Sequence, residues 1–212
     1  MNIMIFTSKK WRGFTMMLAL IAATIVTLPA TAGSVTGTYT LYLNSTDGTL
    51  RQNYASGTNV TSVMNTAGAV VGGTSSARTL TLTDFSFTTS AATALEVPAG
   101  TTIVLNGTNT VTSTYNGTVS SCGINATGKI IINGSGSLIA TGGNSTGNSN
   151  GIASDGDIAI NGNATVTAVG RTTATTSYGI WIDSGVLTIS GGAVTATGGT
   201  RAIRNGGASS YN

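Results

Sequence analysis

Gly123-Ile124, Ile130-Ile131-Ile132-Asn133-Gly134 and Leu138-Ile139-Ala140 form a motif that returns as Gly151-Ile152, Ile158-Ala159-Ile160-Asn161-Gly162 and Val166-Thr167-Ala168. A third copy runs Gly179-Ile180, Leu187-Thr188-Ile189, Gly192 and Val194-Thr195-Ala196. The Gly-Ile starts lie 28 residues apart, twice in succession. A weaker copy begins at Ala202-Ile203. An earlier one opens at Ala94-Leu95, with Ile103, Leu105, Gly107 and Val111 in matching places. A period of about 20–30 residues built from short β runs and Gly turns is the mark of a β-solenoid.

Within each copy the Ile-x-Ile step reads as a short strand. A Gly-Asn turn, a second strand at Val-Thr-Ala and a polar loop follow. Coils fall at 95–122, 123–150, 151–178 and 179–201, and with the flanking copies make about five to six. Equivalent positions in successive coils stack about 4.8 Å apart. Ile124, Ile152, Ile180 and Ile203 therefore form one internal ladder. Ile132, Ile160 and Ile189 form a second, and Leu138, Val166 and Val194 a third. Gly128 and Gly156 match, whereas Gly185 comes one residue late and predicts a small bulge. The loops Thr141–Asn150 and Gly170–Ser177 should emerge on one side as a continuous edge.

Upstream, Thr79 to Phe87 alternates with period two and reads as one strand. Residues 33–78 read as an N-terminal cap or irregular β region. Thr38-Tyr39-Thr40-Leu41-Tyr42 is strand-like there, and Val60 to Val71 is open to a short cap helix. A solenoid needs such a cap, because a bare first coil exposes unpaired backbone groups. At the other end the helix coils close at 205 without a visible cap, and 206–212 reads as a polar tail, open to the reading that the chain is a fragment.

Residues 1–32 read as a secretory signal peptide. Lys9, Lys10 and Arg12 are its charged region, Met16 to Leu28 its apolar run, and Ala30-Thr31-Ala32 its cleavage site. The run is short for a membrane span. Those three basic residues account for the whole formal charge of +3. The remainder carries Arg51, Arg78, Lys129, Arg171, Arg201 and Arg204 against Asp47, Asp84, Glu96, Asp155, Asp157 and Asp183, and is neutral. With no basic patch, nucleic acid is excluded as a partner. The expected location is secreted or at a cell surface, and the expected state a monomer. Cys122 is the only cysteine, so no intramolecular disulfide forms, and it reads as a small filler side chain.

The chain has no histidine. That removes Ser-His-Asp and Cys-His catalysis and His-ligated zinc. An acidic cluster and an aromatic pair remain. Asp155 and Asp183 each sit four residues past a Gly-Ile start, so they lie one coil apart. Asp157 follows two residues on. Close carboxylates repel unless a cation or proton lies between them, and Asp-Gly-Asp offers calcium both carboxylate and carbonyl oxygens. The plain alternative is that these side chains splay into water. Paired carboxylates also serve glycosidases, with Lys129 as the one basic neighbour. Trp181 and Asp183 are i and i+2 on one strand face, and Tyr178 precedes them. An exposed ring beside acids can grip a sugar; the alternative is Trp181 packed under the loop Gly170–Ser177. The runs Thr79 to Thr83, Thr110 to Thr114 and Thr195 to Thr197 resemble flat ice-binding faces, but the spacing does not repeat them at one coil position.

The order A-L-E-V-P-A-G-T-T-I-V-L-N-G-T-N-T-V from Ala94, followed by G-I…I-x-I-N-G…V-T-A, resembles bacterial surface proteins described as carbohydrate-binding-domain proteins. It covers roughly residues 79–205. The resemblance implies a right-handed, pectate-lyase-like parallel β-helix. It also implies Gly-Ile-x-x-Asp coil starts, with calcium and acidic polysaccharide as ligands of some members. Gly151 to Asp155 and Gly179 to Asp183 match that start, whereas the coil at Gly123 has Thr127 in place of the acid. The expected function is a non-catalytic carbohydrate-binding β-helix, with calcium as the expected assisting ion. Tyr178, Trp181, Asp183 and Asp155 are its expected ligand residues, and Asp155, Asp157 and Asp183 its metal residues. The rivals are an adhesin-like structural repeat without a small ligand and a polysaccharide lyase or hydrolase.

Overall fold

The computed structural model describes residues 33–172 and 174–206. The signal-peptide reading and the tail beyond Gly206 lie outside the described residues. Strands β1 (Ser34–Gly37), β2 (Leu41–Leu43) and β3 (Leu50–Gln52) come first, then α1 (Thr61–Thr66) and β4 (Ala69–Thr74). From there the chain winds in triplets of strands. The first is β5 (Ala77–Thr83), β6 (Ser86–Thr89) and β7 (Thr93–Val97). The second is β8 (Thr101–Asn106), β9 (Thr108–Ser113) and β10 (Ser121–Ala126). The third is β11 (Ile130–Gly134), β12 (Ser137–Thr141) and β13 (Asn148–Ser154). The fourth is β14 (Ile158–Ile160), β15 (Thr165–Val169) and β16 (Thr176–Ile182), and the last β17 (Leu187–Ile189), β18 (Ala193–Thr197) and β19 (Arg201–Asn205).

Each member of a triplet joins a different sheet, which makes a β-solenoid of about four turns from β5 to β17. This is fewer than the five to six coils expected, because the last copy of the motif, at Ala202-Ile203, adds only the single strand β19. One sheet, β1-β6-β9-β12-β15-β18, is called here the threonine sheet. The aromatic sheet runs β19-β16-β13-β10-β7-β2-β3, and the third sheet β17-β14-β11-β8-β5-β4. All neighbours are parallel except β2 with β3 and β4 with β5, which fold back and occupy the N-terminal edges. The helix α1 packs against β3 and β4 there, while β1 and β2 are members of the solenoid sheets.

The ladders stand in the predicted register. Ile124, Ile152, Ile180 and Ile203 align, preceded by Leu95 and Leu41. Ile132, Ile160 and Ile189 align after Leu80 and Ile103. In the middle coils these side chains are fully buried, and each adds roughly 1.5–3 kcal/mol of apolar burial. The last rung departs from expectation: Ile189 is 49% exposed and Ile203 41%, because no coil covers them among the described residues. The repeat begins with glycine for a steric reason. A Cβ on Gly151 would stand 2.3 Å from the Val169 nitrogen, and one on Gly179 2.5 Å from that of Thr197.

One further reading needs correction. Thr79 to Phe87 is not one strand but β5 and β6, broken at Asp84, whose φ of 48° turns the corner. The turn lets Phe85 and Phe87 both enter the core, with ring centroids 6.4 Å apart. In the third ladder the rung before Leu138 is Asn109, and Val111 pairs with Ala140. Asn109 is fully buried yet satisfied. It accepts from the Phe85 N–H at 3.0 Å and donates to the Asn106 and Ser137 carbonyls at 3.1 and 3.0 Å. The expected bulge is real: the turn before β17 holds one extra residue, since Leu187 pairs with Ile158 rather than one position earlier.

Candidate ligand-binding face

Alternation in β16 turns Ile180 and Ile182 inward and leaves Trp181 outward. Trp181 lies at the end of an outer row that begins at Tyr42 and passes through Glu96, Asn125 and Ala153; Arg204 closes it. Beside it runs a second row, Cys122, Asn150, Tyr178 and Arg201. The two rows meet through Arg204, whose guanidinium stands 5.6 Å from the Tyr178 ring centre and 5.7 Å from that of Trp181. At such distances the ring faces attract the cation.

Tyr178 was expected as an exposed sugar platform. It is instead only 7% exposed, covered in part by that guanidinium. Trp181 is half-buried. Arg204 was not singled out from the sequence at all. It stands 23 residues past Trp181, the same shortened step that sets Ile203 on Ile180, and the pairing of β16 with β19 brings the two together. The face also holds two buried polar atoms with no hydrogen-bond partner among the described residues, the Trp181 indole nitrogen and the Asn150 amide oxygen. A third such atom, Ser177 Oγ, has a local cause. Ser121 and Ser149, its neighbours in register, accept from the N–H groups of Gly143 and Arg171. The shortened last coil supplies no equivalent donor.

The carboxylates separate into two settings. Asp155 N–H donates to the Ala126 carbonyl and Asp183 N–H to that of Ser154, so the two sit on successive coils as expected, both exposed. Asp157 does not join them. Its Oδ1 accepts from the Val186 N–H at 3.0 Å, and its Oδ2 stands 4.0 Å from Lys129 Nζ. Lys129 is thus the partner of Asp157. The three-carboxylate metal set of Asp155, Asp157 and Asp183 is not assembled: no group of three acids or sulfur ligands able to hold a metal occurs among the described residues.

Behind this face, burial pushes the Cys122 thiol up from its ordinary value near 9 to about 11. The Asn150 amide, donating to the sulfur at 3.7 Å, works against that shift, while the charges of Asp155 and Glu96 add to it. Half-burial also holds the Glu96 carboxyl above its usual range. An apolar depression of about 430 Å³ lies at the other end of the molecule. Gly33, Val35, Val63 and Ala67 line it with Ser62 and Thr66, and no ionisable group reaches it. Comparison with protein-family models, with curated proteins and with solved structures finds no match to this chain.

Proposed function

We propose that the protein is a secreted or cell-surface, non-catalytic module that binds carbohydrate on the outer face of β13, β16 and β19. The observation that carries this reading is the half-exposed Trp181 ring with the Arg204 guanidinium 5.7 Å from its centre, and the exposed Asp155 and Asp183 on adjacent coils. A sugar offers hydroxyls that both donate and accept, together with an apolar ring face for the indole. Arg204 adds a fixed cation, which favours a sugar bearing a carboxylate. Asp155 and Asp183 extend the face with acceptors for further hydroxyls, and they are the two carboxylates left to share a calcium ion.

Titration calorimetry with oligogalacturonate and with neutral glycans, in calcium and in chelator, tests the reading. Trp181→Ala is expected to abolish binding, and Asp155→Asn/Asp183→Asn to weaken it. Equal binding by wild type and Trp181→Ala would refute the site. Release of unsaturated or reducing-end products from the same glycans would refute the non-catalytic assignment.

A further inference from the structure

The threonine sheet carries a surface that the glycan reading does not use. Its outward positions fall into two long rows. One is Ser86, Thr110, Ile139, Thr167 and Thr195. The other is Thr88, Thr112, Thr141, Val169 and Thr197. The sequence reading rejected this repetition because the runs do not share one spacing. The structure overturns that, since the step from Thr110 to Ile139 is one residue longer than the later steps and the loop before β10 absorbs the difference. The run at Thr79 to Thr83 alone lies elsewhere, on the third sheet.

Four properties distinguish this face. Its register runs without a bulge from β6 to β18. Its six strands contain no Asp, Glu, Lys or Arg, whereas the aromatic sheet carries Glu96 and Arg204 on its surface. The hydroxyls of Thr110, Thr112, Thr167, Thr195 and Thr197 make no hydrogen bond to protein among the described residues. Thr141 is only 8% exposed, and its hydroxyl is likewise unpartnered. Both sheets have gaps in their outer rows, but there are fewer here, Ile139 and Val169, than on the third sheet, with Ile131 and Ala159 in one row and Val104 and Asn133 in the other.

We infer that this face binds ice. Where threonines neighbour one another, their hydroxyls repeat at about 4.8 Å across strands and about 6.6 Å along them, a rigid two-dimensional array of positions for water oxygens. Threonine is stiff at χ1, and the stacked strands fix the backbone, so little freedom is lost when the face meets a lattice. Each side chain presents a hydroxyl that can occupy a lattice position and a methyl group around which water orders. Ile139 and Val169 preserve the β-branched outline. Charged groups, which hold their own hydration and do not fit into ice, are missing from this sheet alone. The inference is independent of the glycan reading, which concerns a different sheet.

Nanolitre osmometry and ice-crystal microscopy on the purified protein provide the test. Wild type is expected to facet growing ice and to open a gap between melting and freezing points. Thr167→Lys, at the centre of the net, is expected to remove both effects, while Thr102→Lys on the third sheet keeps them. Thermal melts check that the variants fold, and Thr195→Lys, nearer the open end, serves where Thr167→Lys does not. Unfaceted ice with wild type, or equal loss with Thr102→Lys, would overturn the inference. So would retention on crystalline chitin or cellulose that Thr167→Lys abolishes while wild type leaves ice untouched; that result would assign the net to a polysaccharide crystal.

Discussion

Ile152 and Ile203 occupy the same rung position of one ladder, yet the first is fully buried and the second 41% exposed. The same contrast separates Ile160 from Ile189. The middle coils and the last coil differ little in local pattern, so the difference comes from neighbours. A coil in the middle is sandwiched, and the last coil has a neighbour on one side only among the described residues. In a solenoid, burial belongs to the stack rather than to the segment.

That comparison can be broken most directly at Ile152. Ile152→Ala removes a side chain packed from both sides and is expected to cost about 2–5 kcal/mol in chemical unfolding. A change under about 0.5 kcal/mol would mean that the middle coil is no better packed than the end.

Cys122 sharpens it by pH. Its folded pKa is raised, from near 9 to about 11, so the fold favours the thiol over the thiolate. The associated stability is complete below the unfolded value and is lost as pH climbs through the folded one. A shift of that size corresponds to about 2–3 kcal/mol. Wild type should therefore lose that much more stability than Cys122→Ala between pH 8 and pH 11. Parallel pH curves for the two proteins would show that the second coil admits water at Cys122.

Ile203→Ala carries the smallest effect. Its side chain is already partly in water, and the expected loss is under about 1 kcal/mol. A loss equal to that of Ile152→Ala would show that something covers the last coil in solution.

The ladders were legible because a buried stack demands the same apolar residue at a fixed interval, and Ile124, Ile152 and Ile180 keep it. The first turn was harder, since Asp84 supplies a corner inside an alternating run and nothing in the alternation announces it. Asn109 could not be told from a surface asparagine, because its satisfaction depends on backbone groups from two other coils. On the candidate face, the stacking of Asp155 over Asp183 followed from the period, and Arg204 beside Trp181 was implied only through the shortened step that sets Ile203 on Ile180. The threonine net was hidden by the opposite fault, a loop one residue longer. Periodicity reveals strands that repeat at one interval and conceals those whose register is restored by loops of unequal length.

The central claim is that register, and it can be read covalently. In a Cys122→Ala background, Thr167→Cys/Thr195→Cys places two thiols on facing outward positions of β15 and β18. Their Cα atoms are about 4.8 Å apart, within the span of a disulfide. Thr167→Cys/Thr197→Cys, two residues out of register, stands at about 8 Å, beyond that span. Mild oxidation followed by peptide mass spectrometry should find the cross-link in the first protein and not in the second. A cross-link in the second alone would contradict the stacking on which the fold, the candidate face and the threonine net all depend.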